Sequence, residues 1–370
     1  MSKIAHYVGL DVHKSTIVIS VAADGRREPP EDWGVIPHDL PRLKRRLAKL
    51  GPAPEVLCIY EAGPTGYGLY RKLIAAGYAC MVVAPSRTPR GSADRIKTDR
   101  RDASRLARFA RSGDLAPISV PDQGSEAMRE LIRARTDAKM SLIRSRRQLS
   151  SMLLRHDLHW SGKSTWTLKH IEWIRALELE QPASQRALID YLYDVDRLME
   201  RVARLDDSIA DFAPSMERWD LVQALQALRG VKLLTAASIV SEIGDFQRFK
   251  TPGKLMSFLG LTPSEYSSGQ DTRRGPITKA GNTHVRRLLI EAAWAYRLRP
   301  RVSRLLRYRS AKVSPSVREV SWRAQKRLHA RYCSMLARGK HQNRVIVAVA
   351  RELTGFIWCI AHQDELLLAQ

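Results

Sequence analysis

The chain has 370 residues, 44% of them hydrophobic and 27% charged, which is enough for two or three folded domains and excludes an intrinsically disordered protein. A formal net charge of +24 predicts a polyanionic partner, most simply nucleic acid. The four cysteines are far apart and form no C-x-x-C pair, which favours buried free thiols in a reducing cytoplasm over a zinc site. Because the N-terminus has no apolar signal region and no uninterrupted apolar run is long enough to span a bilayer, we expect a cytoplasmic protein with no membrane partner.

The first 120 residues alternate between strand and helix patterns. Apolar runs predict strands over 7–12, 16–22, 34–37, 55–60 and 78–84, and helical spacing predicts helices over 40–50, up to 77 and over 99–110. The resulting order β-β-β-α-β-α-β-α is that of the RNase H-like fold, in which a three-strand meander is followed by parallel strands. Doubly wound folds also alternate in this way, so the order alone leaves both α/β folds open.

Residues 121–222 form a second predicted region, helical and rich in arginine. Its seam of apolar residues steps by four and three positions, the spacing of a coiled coil, at Leu198, Val202, Leu205, Ile209 and Phe212. We favour an antiparallel hairpin of two helices within one chain, with pairing of two chains as the alternative. Tryptophans alternate with lysines in the link between these helices, where they either stack on bases or anchor the link.

Residues 223–370 form a third, mainly α-helical region. The stretch 228–239 resembles either a helix-hairpin-helix or an ordinary helix-turn-helix pair. Composition predicts a loop over 259–270 and a basic loop over 273–282, followed by a helix from Thr283. Between Asp271 and Arg351 the chain carries 21 Lys and Arg against three acids, which accounts for 18 of the 24 net positive charges.

Four carboxylates are placed where a metal site would need them. Asp99 and Asp102 are three residues apart and share a face of the predicted helix, although capping and the helix dipole also favour aspartate there. Asp11 lies within an apolar strand, where an unpaired carboxylate is costly, and Glu61 ends a neighbouring strand. An RNase H-like sheet would bring all four to one cleft that suits two Mg²⁺ ions about 4 Å apart for phosphoryl transfer.

Five sequence motifs resemble those of the DEDD insertion-sequence transposases, the IS one-hundred-and-ten and eleven-eleven group of bridge-RNA-guided recombinases. The motifs cover most of the chain in the family's order and are Val8-Gly9-Leu10-Asp11-Val12-His13-Lys14, Tyr60-Glu61-Ala62-Gly63, Lys97-Thr98-Asp99-Arg100-Arg101-Asp102-Ala103, Gly260-Leu261-Thr262-Pro263 through Tyr266-Ser267-Ser268-Gly269, and Ile277-Thr278-Lys279-Ala280-Gly281-Asn282 with Arg286-Arg287-Leu288. Lys232 departs from the glycine usual in the helix-hairpin-helix.

The resemblance implies a RuvC-like DEDD domain over 1–120, a helical coiled-coil region over 121–222 and a C-terminal transposase domain over 223–370. It places the metal-binding quartet on Asp11, Glu61, Asp99 and Asp102, with Mg²⁺ or alternatively Mn²⁺, and the nucleophile that forms a covalent link to DNA on Ser268 rather than Ser267. The implied partners are DNA, a structured bridge RNA and further copies of the chain in a dimer or tetramer. The implied location is the bacterial cytoplasm, at the nucleoid when DNA is bound.

Basic residues beside these motifs are predicted to contact nucleic acid: Lys97, Arg100, Arg101, Arg273, Arg274, Lys279, Arg286 and Arg287. Serine is a weak nucleophile at its free pKa, and metal ions at the quartet could activate it. His13 and His284 lie near the motifs and are more simply supporting or phosphate-contacting groups than proton carriers. Two other functions remain open: a junction-cleaving nuclease that uses water, and a nucleic-acid-binding protein without catalysis.

Overall fold

The computed structural model describes residues 3–25, 28–85, 88–89, 98–268 and 271–368. The side chains of 267–268, 271–274 and 364–368 are outside this description, as is Lys97. The chain forms two compact units, Met1–Val120 and Pro121–Gln370. The helices predicted as a separate middle domain over 121–222 therefore lie in the same unit as the C-terminal residues.

The first unit is built on a five-stranded mixed sheet with the strand order β3-β2-β1-β4-β5. Strands β1 to β3 pair antiparallel, whereas β4 joins β1 and β5 joins β4 in parallel, as the predicted meander and parallel additions require. The elements are β1 (His6–Val12), β2 (Thr16–Ala23), β3 (Glu31–Pro37), α1 (Leu40–Leu47), β4 (Val56–Glu61), α2 (Gly68–Ala75), β5 (Ala79–Val83) and α3 (Asp99–Ser112), with 3₁₀ turns at Ala48–Leu50 and Ala53–Glu55.

The two faces of this sheet have separate cores, because successive strand residues point to opposite faces. Leu10 and Tyr60 pack on one face with Leu43 of α1 and Leu73 of α2. On the opposite face, Ile59 packs with Leu106 and with other apolar residues of α3 and β5. The second face carries the residues considered below as a site.

The second unit begins with an antiparallel pair of long helices, α4 (Gln123–Arg155) and α6 (Pro182–Phe212), with α5 (Leu168–Arg175) between them. Buried residues of both helices form one core, and Arg135 of α4 forms an ion pair with Asp206 of α6. Leu198, Val202 and Ile209 of the predicted seam are buried, whereas Phe212 is exposed. The preferred prediction, a helical hairpin within one chain, is thus confirmed; pairing of two chains stays a prediction.

The remaining helices of this unit pack around a larger core of about forty buried apolar side chains. They are α7 (Trp219–Leu225), α8 (Leu233–Ile243), α9 (Pro252–Phe258), α10 (Thr283–Ala293), α11 (Arg304–Ser310), α12 (Pro315–Ala337) and α13 (Gln342–Leu368), with 3₁₀ turns at Ala213–Ser215 and Trp294–Arg297. Helices α7 and α8 flank the turn at Gly230, where an added Cβ would lie 2.4 Å from the carbonyl oxygen of Ala292.

One prediction about this region is wrong. The stretch predicted as a loop over 259–270 contains strand β6 (Pro263–Ser268), which pairs antiparallel with β7 (Asp271–Ile277). Strand β7 also occupies much of the predicted basic loop over 273–282. Serine, glycine and arginine have little preference for strands, so composition does not predict them here. The strands form because the two neighbouring segments pair with each other.

Helix α13 bears on the expectation that no segment is long enough to cross a bilayer. Its stretch Gln342–Gln363 is long and apolar enough to do so by length and composition, and half of it is buried within the protein. Val345, Val349, Leu353 and Ile357 belong to the core of the second unit. This burial explains its apolar composition as that of a core helix.

Candidate active site

Asp11 lies on the sheet face that packs directly against helix α3. Gly9, two residues earlier and therefore on the same face, lies so close to α3 that an added Cβ would fall 2.0 Å from the carbonyl oxygen of Ala103. The absence of a side chain at Gly9 lets the helix approach the strand. This close approach brings the beginning of α3 to the end of β1, where Asp11 lies.

The local sequence begins helix α3 at the residues that the site needs. The Thr98 side chain accepts a hydrogen bond from the backbone N–H of Arg101, which caps the helix, and both Asp99 and Asp102 fall in its first turn. Asp102 is buried, whereas Asp99 is exposed. The aspartates can therefore stabilise the N-terminus of the helix and also take part in a metal site, because the first turn of α3 lies at the end of β1.

His13 joins the two aspartates. Its Nε2 lies 3.2 Å from Asp11 Oδ2 and 3.4 Å from Asp99 Oδ2. One potential ligand atom from each of these residues lies within 4.8 Å of the others. The sequence interpretation treated His13 as a supporting residue; its position two residues after Asp11 was the signal that it could belong to the cluster itself.

Burial raises the pKa of the Asp11 carboxyl above its ordinary value. His13 opposes this shift through its charge and hydrogen bond, and the negative charges of Asp99 and Asp102 add to it. The negative charges of the neighbouring carboxylates therefore disfavour the ionised form of Asp11. A cation placed among these oxygens would offset that repulsion.

The other two predicted acids have protein partners. Arg105 donates a hydrogen bond to Asp102 within helix α3, and both side chains are largely buried. Glu61 Oε1 accepts a hydrogen bond of 2.8 Å from Thr88 Oγ1. In the parallel pairing of β1 with β4, Leu10 lies opposite Tyr60, so Asp11 and Glu61 occupy the next positions along their strands, on the same face.

These residues fit a divalent metal ion. Carboxylate oxygens are the ligands that Mg²⁺ prefers, and an imidazole nitrogen beside them is also compatible with Mn²⁺. Asp11 and Asp99 would hold the ion, with His13, Asp102 and Glu61 next to them on the same side of the sheet. A bound ion of this kind would supply Lewis-acid stabilisation to a phosphate.

Ser268 lies in the second unit, at the end of strand β6 and opposite Asp271 of β7. Its backbone is described; its side chain, Gly269 and Gln270 are not. Neighbouring Tyr266 is 78% exposed, so this hairpin presents side chains to solvent. The β6–β7 hairpin is thus an exposed two-stranded element that carries the predicted nucleophile.

The base of this hairpin is held by two tight backbone crossings. At Gly260 an added Cβ would lie 2.2 Å from the carbonyl oxygen of Ala280, and at Gly281 it would lie 2.0 Å from that of Phe258. Both glycines have positive φ angles, 64° and 96°. Lys279 N–H donates to the Gly260 carbonyl at 3.1 Å, which joins the two crossing segments.

A polar network around the buried carboxylate of Glu242 supports these crossings. Asn282 caps helix α10 through its Oδ1 and donates from Nδ2 to Glu242 Oε2 at 2.9 Å. Arg133 donates to the other oxygen of Glu242 at 3.1 Å. His284 lies nearby with a buried Nε2 that has no hydrogen-bond partner, and burial lowers the pKa of its imidazole. Sequence reasoning missed Glu242, because one acid in an apolar helix carries no pattern.

Arg286 does not face nucleic acid as predicted. It is only 8% exposed, and its guanidinium donates to the Leu259 carbonyl and to Thr283 Oγ1. A buried guanidinium needs such partners, so the prediction of a phosphate contact is replaced by a structural role at the hairpin base.

The remaining predicted nucleic-acid contacts have varied surroundings. Arg100 is exposed and forms an ion pair with Asp32, Arg287 forms one with Glu291 at 2.7 Å, and Arg101 is exposed. Lys279 is exposed and adopts a φ of 56°, which is unusual for a residue with a side chain. Arg273 and Arg274 lie on β7 with side chains outside the described part, and Lys97 lies outside it altogether.

Comparison with known proteins identifies the family of this chain. Residues 8–156 match the DEDD transposases of IS110 type, and residues 222–308 match the transposase IS116/IS110/IS902 family. The chain is 45% identical to the protein y4qE of Sinorhizobium fredii, over 96% of this chain and 88% of that one. It is 32% identical to the transposase for insertion sequence element IS1533 of Leptospira borgpetersenii, over 90% and 97% of the two chains. The chain therefore belongs to the IS110-type family of DEDD insertion-sequence transposases.

Proposed function

We propose that this transposase cleaves and exchanges DNA strands through a covalent serine–DNA intermediate. The observation that carries the proposal is the cluster of Asp11, Asp99 and His13, with Asp102 and Glu61 on the same sheet face. Such a set of carboxylates serves no evident packing purpose, and burial disfavours the charge on Asp11. Phosphoryl transfer at a metal site accounts for it.

In this proposal the first unit is RNase H-like, and its carboxylates hold Mg²⁺ or Mn²⁺. The strand order β3-β2-β1-β4-β5 supports that fold. Asp11 and Asp99 bind the cation, while Arg105 and Thr88 orient Asp102 and Glu61. When bound, the ion stabilises negative charge on the scissile phosphate.

Ser268 is the proposed nucleophile. Its hydroxyl loses a proton as Oγ forms a bond to the scissile phosphorus, the bond from phosphorus to one sugar oxygen breaks, and that sugar oxygen takes up a proton to leave as a hydroxyl. The resulting phosphodiester link to serine conserves the energy needed to join a second DNA strand. The exposed hairpin at residues 263–277 supports this role, since a nucleophile for a bulky polymer must project from the surface.

A structured bridge RNA is the proposed source of target choice, and a dimer or tetramer in the bacterial cytoplasm, at the nucleoid on DNA, is the proposed assembly. The excess of Lys and Arg over 271–351 supports a second polyanion besides DNA. The resemblance of the five motifs to the bridge-RNA-guided group supports the rest. DNA binding as such follows from the family.

A covalent-adduct assay tests the serine. The chain is expressed in bacteria with a plasmid that carries its own element, the cells are lysed in denaturant, and DNA bound covalently to protein is recovered and sequenced. We expect adducts at the element's ends with the native chain and none with Ser268→Ala or Asp11→Asn. Ser267→Ala is the matched control and retains the adduct.

The alternative nuclease predicts a different result. If cleavage persists in Ser268→Ala and no adduct forms with the native chain, water is the nucleophile and the proposal is wrong. If the native chain and Asp11→Asn alike give no cleavage and no strand exchange, the chain acts as a nucleic-acid-binding protein without catalysis.

A further inference from the structure

A cleft of about 780 Å³ lies beside the base of the β6–β7 hairpin, within the second unit. One wall is formed by the hairpin, at Pro263, Pro276 and Ile277. The other is formed by helices α12 and α13, at Met335 and Val347. Its walls are therefore mainly apolar, although most of its lining residues come from the basic stretch 271–351.

The side of α13 that faces this cleft has a mixed character. Arg344, Val347, Ala348 and Arg351 line it and fall at helical spacing, so they share one face of the helix. The two arginines are seven residues apart, which places their backbones roughly 10 Å apart, on either side of the apolar pair. Neither has an acidic partner among the described residues, unlike Arg327 and Arg331, which both pair with Glu352.

This combination matches the chemistry of an unstacked nucleotide. A nucleobase has flat, weakly polar faces, and it is flanked by phosphates along its strand. Proline, isoleucine and methionine are the kinds of side chain that pack against bases leaving the stack. Arginines on both sides suit the flanking phosphates. Asn343, at the same end of α13, carries an amide able to pair with a base edge.

The position of the cleft near Ser268 indicates which nucleic-acid strand would reach it, namely the DNA strand that is cleaved. Gly275, which lines it, follows Arg274, and Arg274 is three register steps from the position of Ser268. Three strand residues span about 10 Å, which is at most about three nucleotides of a DNA strand, since even stacked nucleotides advance by about 3.4 Å each. A strand cleaved at Ser268 would therefore pass the cleft.

We infer that the cleft between the β6–β7 hairpin and α13 binds an unstacked nucleobase of the DNA strand a few nucleotides from the scissile phosphate, with Arg344 and Arg351 on the flanking phosphates. This inference rests on the proposed function for its choice of strand. The inference concerns a binding site, so it can be tested by measuring affinity, without strand cleavage.

The test is a binding titration of the full-length Ser268→Ala chain. The probes are fluorescein-labelled dT12 and a twelve-unit tetrahydrofuran oligomer, which carries the same phosphates without bases. We expect the parent chain to bind dT12 at least about 5-fold more tightly than the abasic oligomer, because stacked bases add to affinity. Ala348→Phe fills the cleft and reduces this ratio at least about 3-fold.

The arginine variants test the phosphate contacts. Arg344→Gln and Arg351→Gln each weaken both probes equally and reduce the slope of log affinity against log salt by about 0.7. Arg201→Gln, an exposed arginine on α6, is the matched control and changes neither quantity. Thermal unfolding verifies that each variant is folded. Arg344 is exposed, so Arg344→Gln tests the phosphate contact even if Ala348→Phe fails to fold.

Two outcomes overturn the inference: an unchanged ratio in folded Ala348→Phe, or unchanged salt slopes in both arginine variants. A third arm uses labelled rU12. If Ala348→Phe weakens rU12 and leaves dT12 unaffected, the cleft takes RNA and the assignment to DNA is wrong. Because Ser268 is already absent, a failed adduct assay would leave these results unaltered, which separates this inference from the proposed function.

Discussion

The acidic cluster of the first unit and the serine hairpin of the second are built in opposite ways. Asp11 is fixed by a five-stranded sheet and by a helix that touches the backbone of β1 at Gly9. Ser268 lies on a two-stranded hairpin that is tied down at its base, where Gly260 and Gly281 cross neighbouring backbone.

This difference matches the two roles proposed for these elements. Metal ligands must hold their oxygens within a fraction of an ångström, which a packed sheet achieves. A nucleophile for DNA must reach a large substrate, which a projecting hairpin allows. The following changes test the comparison, from the largest expected effect to the smallest.

Asp11→Asn should have the largest effect. It removes a carboxylate from the cluster, so we expect adduct formation to fall by at least about 100-fold, and Mn²⁺ affinity measured by calorimetry to fall by at least about 10-fold. Because burial disfavours the charged form of Asp11, the unfolding temperature should stay the same or rise. Asp24→Asn, at the turn after β2, is the control; a clear fall in unfolding temperature for Asp11→Asn would show a structural role instead.

Gly9→Ala tests whether close packing holds the cluster. The added methyl would meet Ala103 O at 2.0 Å and Ala107 N at 2.7 Å, so helix α3 must shift. We expect a loss of about 1–3 kcal/mol in the free energy of unfolding, measured with urea, and weaker Mn²⁺ binding. Gly68 is the first residue of α2, and no neighbouring atom lies within 4 Å of the methyl that Gly68→Ala would add. This variant should leave the free energy of unfolding unchanged. Equal behaviour of the two variants would contradict this account.

Asn282→Asp addresses the hairpin base. Aspartate keeps the cap on α10 but loses the donor to Glu242 and adds a second carboxylate, so unfolding free energy should fall by about 1–3 kcal/mol. Adduct yield should fall, whereas Mn²⁺ binding should not. The double variant with Glu242→Gln restores a donor between the two positions and should recover part of the loss; complete additivity would show that the contact contributes nothing.

His170 provides the smallest expected effect. Its Nδ1 accepts a hydrogen bond from the backbone N–H of Trp166, and desolvation lowers the pKa of the imidazole below its ordinary value of 6.5. Near and below pH 6.5 the unfolded chain therefore binds more protons at this residue than the folded chain does. The free energy of unfolding consequently decreases as pH falls through about 6.5. Urea unfolding between pH 7.5 and 5 should show a shallower decline in His170→Gln than in the native chain; identical slopes would exclude His170 as a source.

Local pattern was sufficient for most of the first unit. Apolar runs located the strands, and Asp99 and Asp102, of the residue type favoured in the first turn of a helix, located the start of α3. The hairpin at 263–277 was missed because its two strands consist mainly of polar and basic residues, so their pairing leaves no periodic apolar signal. Arg286 was assigned to nucleic acid because a charge in sequence does not reveal its burial.

The sequence by itself determined the order of strands and helices in the first unit, the basic charge and the presence of four acids and a serine in family motifs. Only the tertiary structure decided which atoms meet: His13 between Asp11 and Asp99, Glu242 beneath Asn282, and a cleft beside the hairpin. The physical reason is that periodicity reports a residue's own face and burial, whereas a site depends on distances between segments far apart in the chain, which packing alone sets.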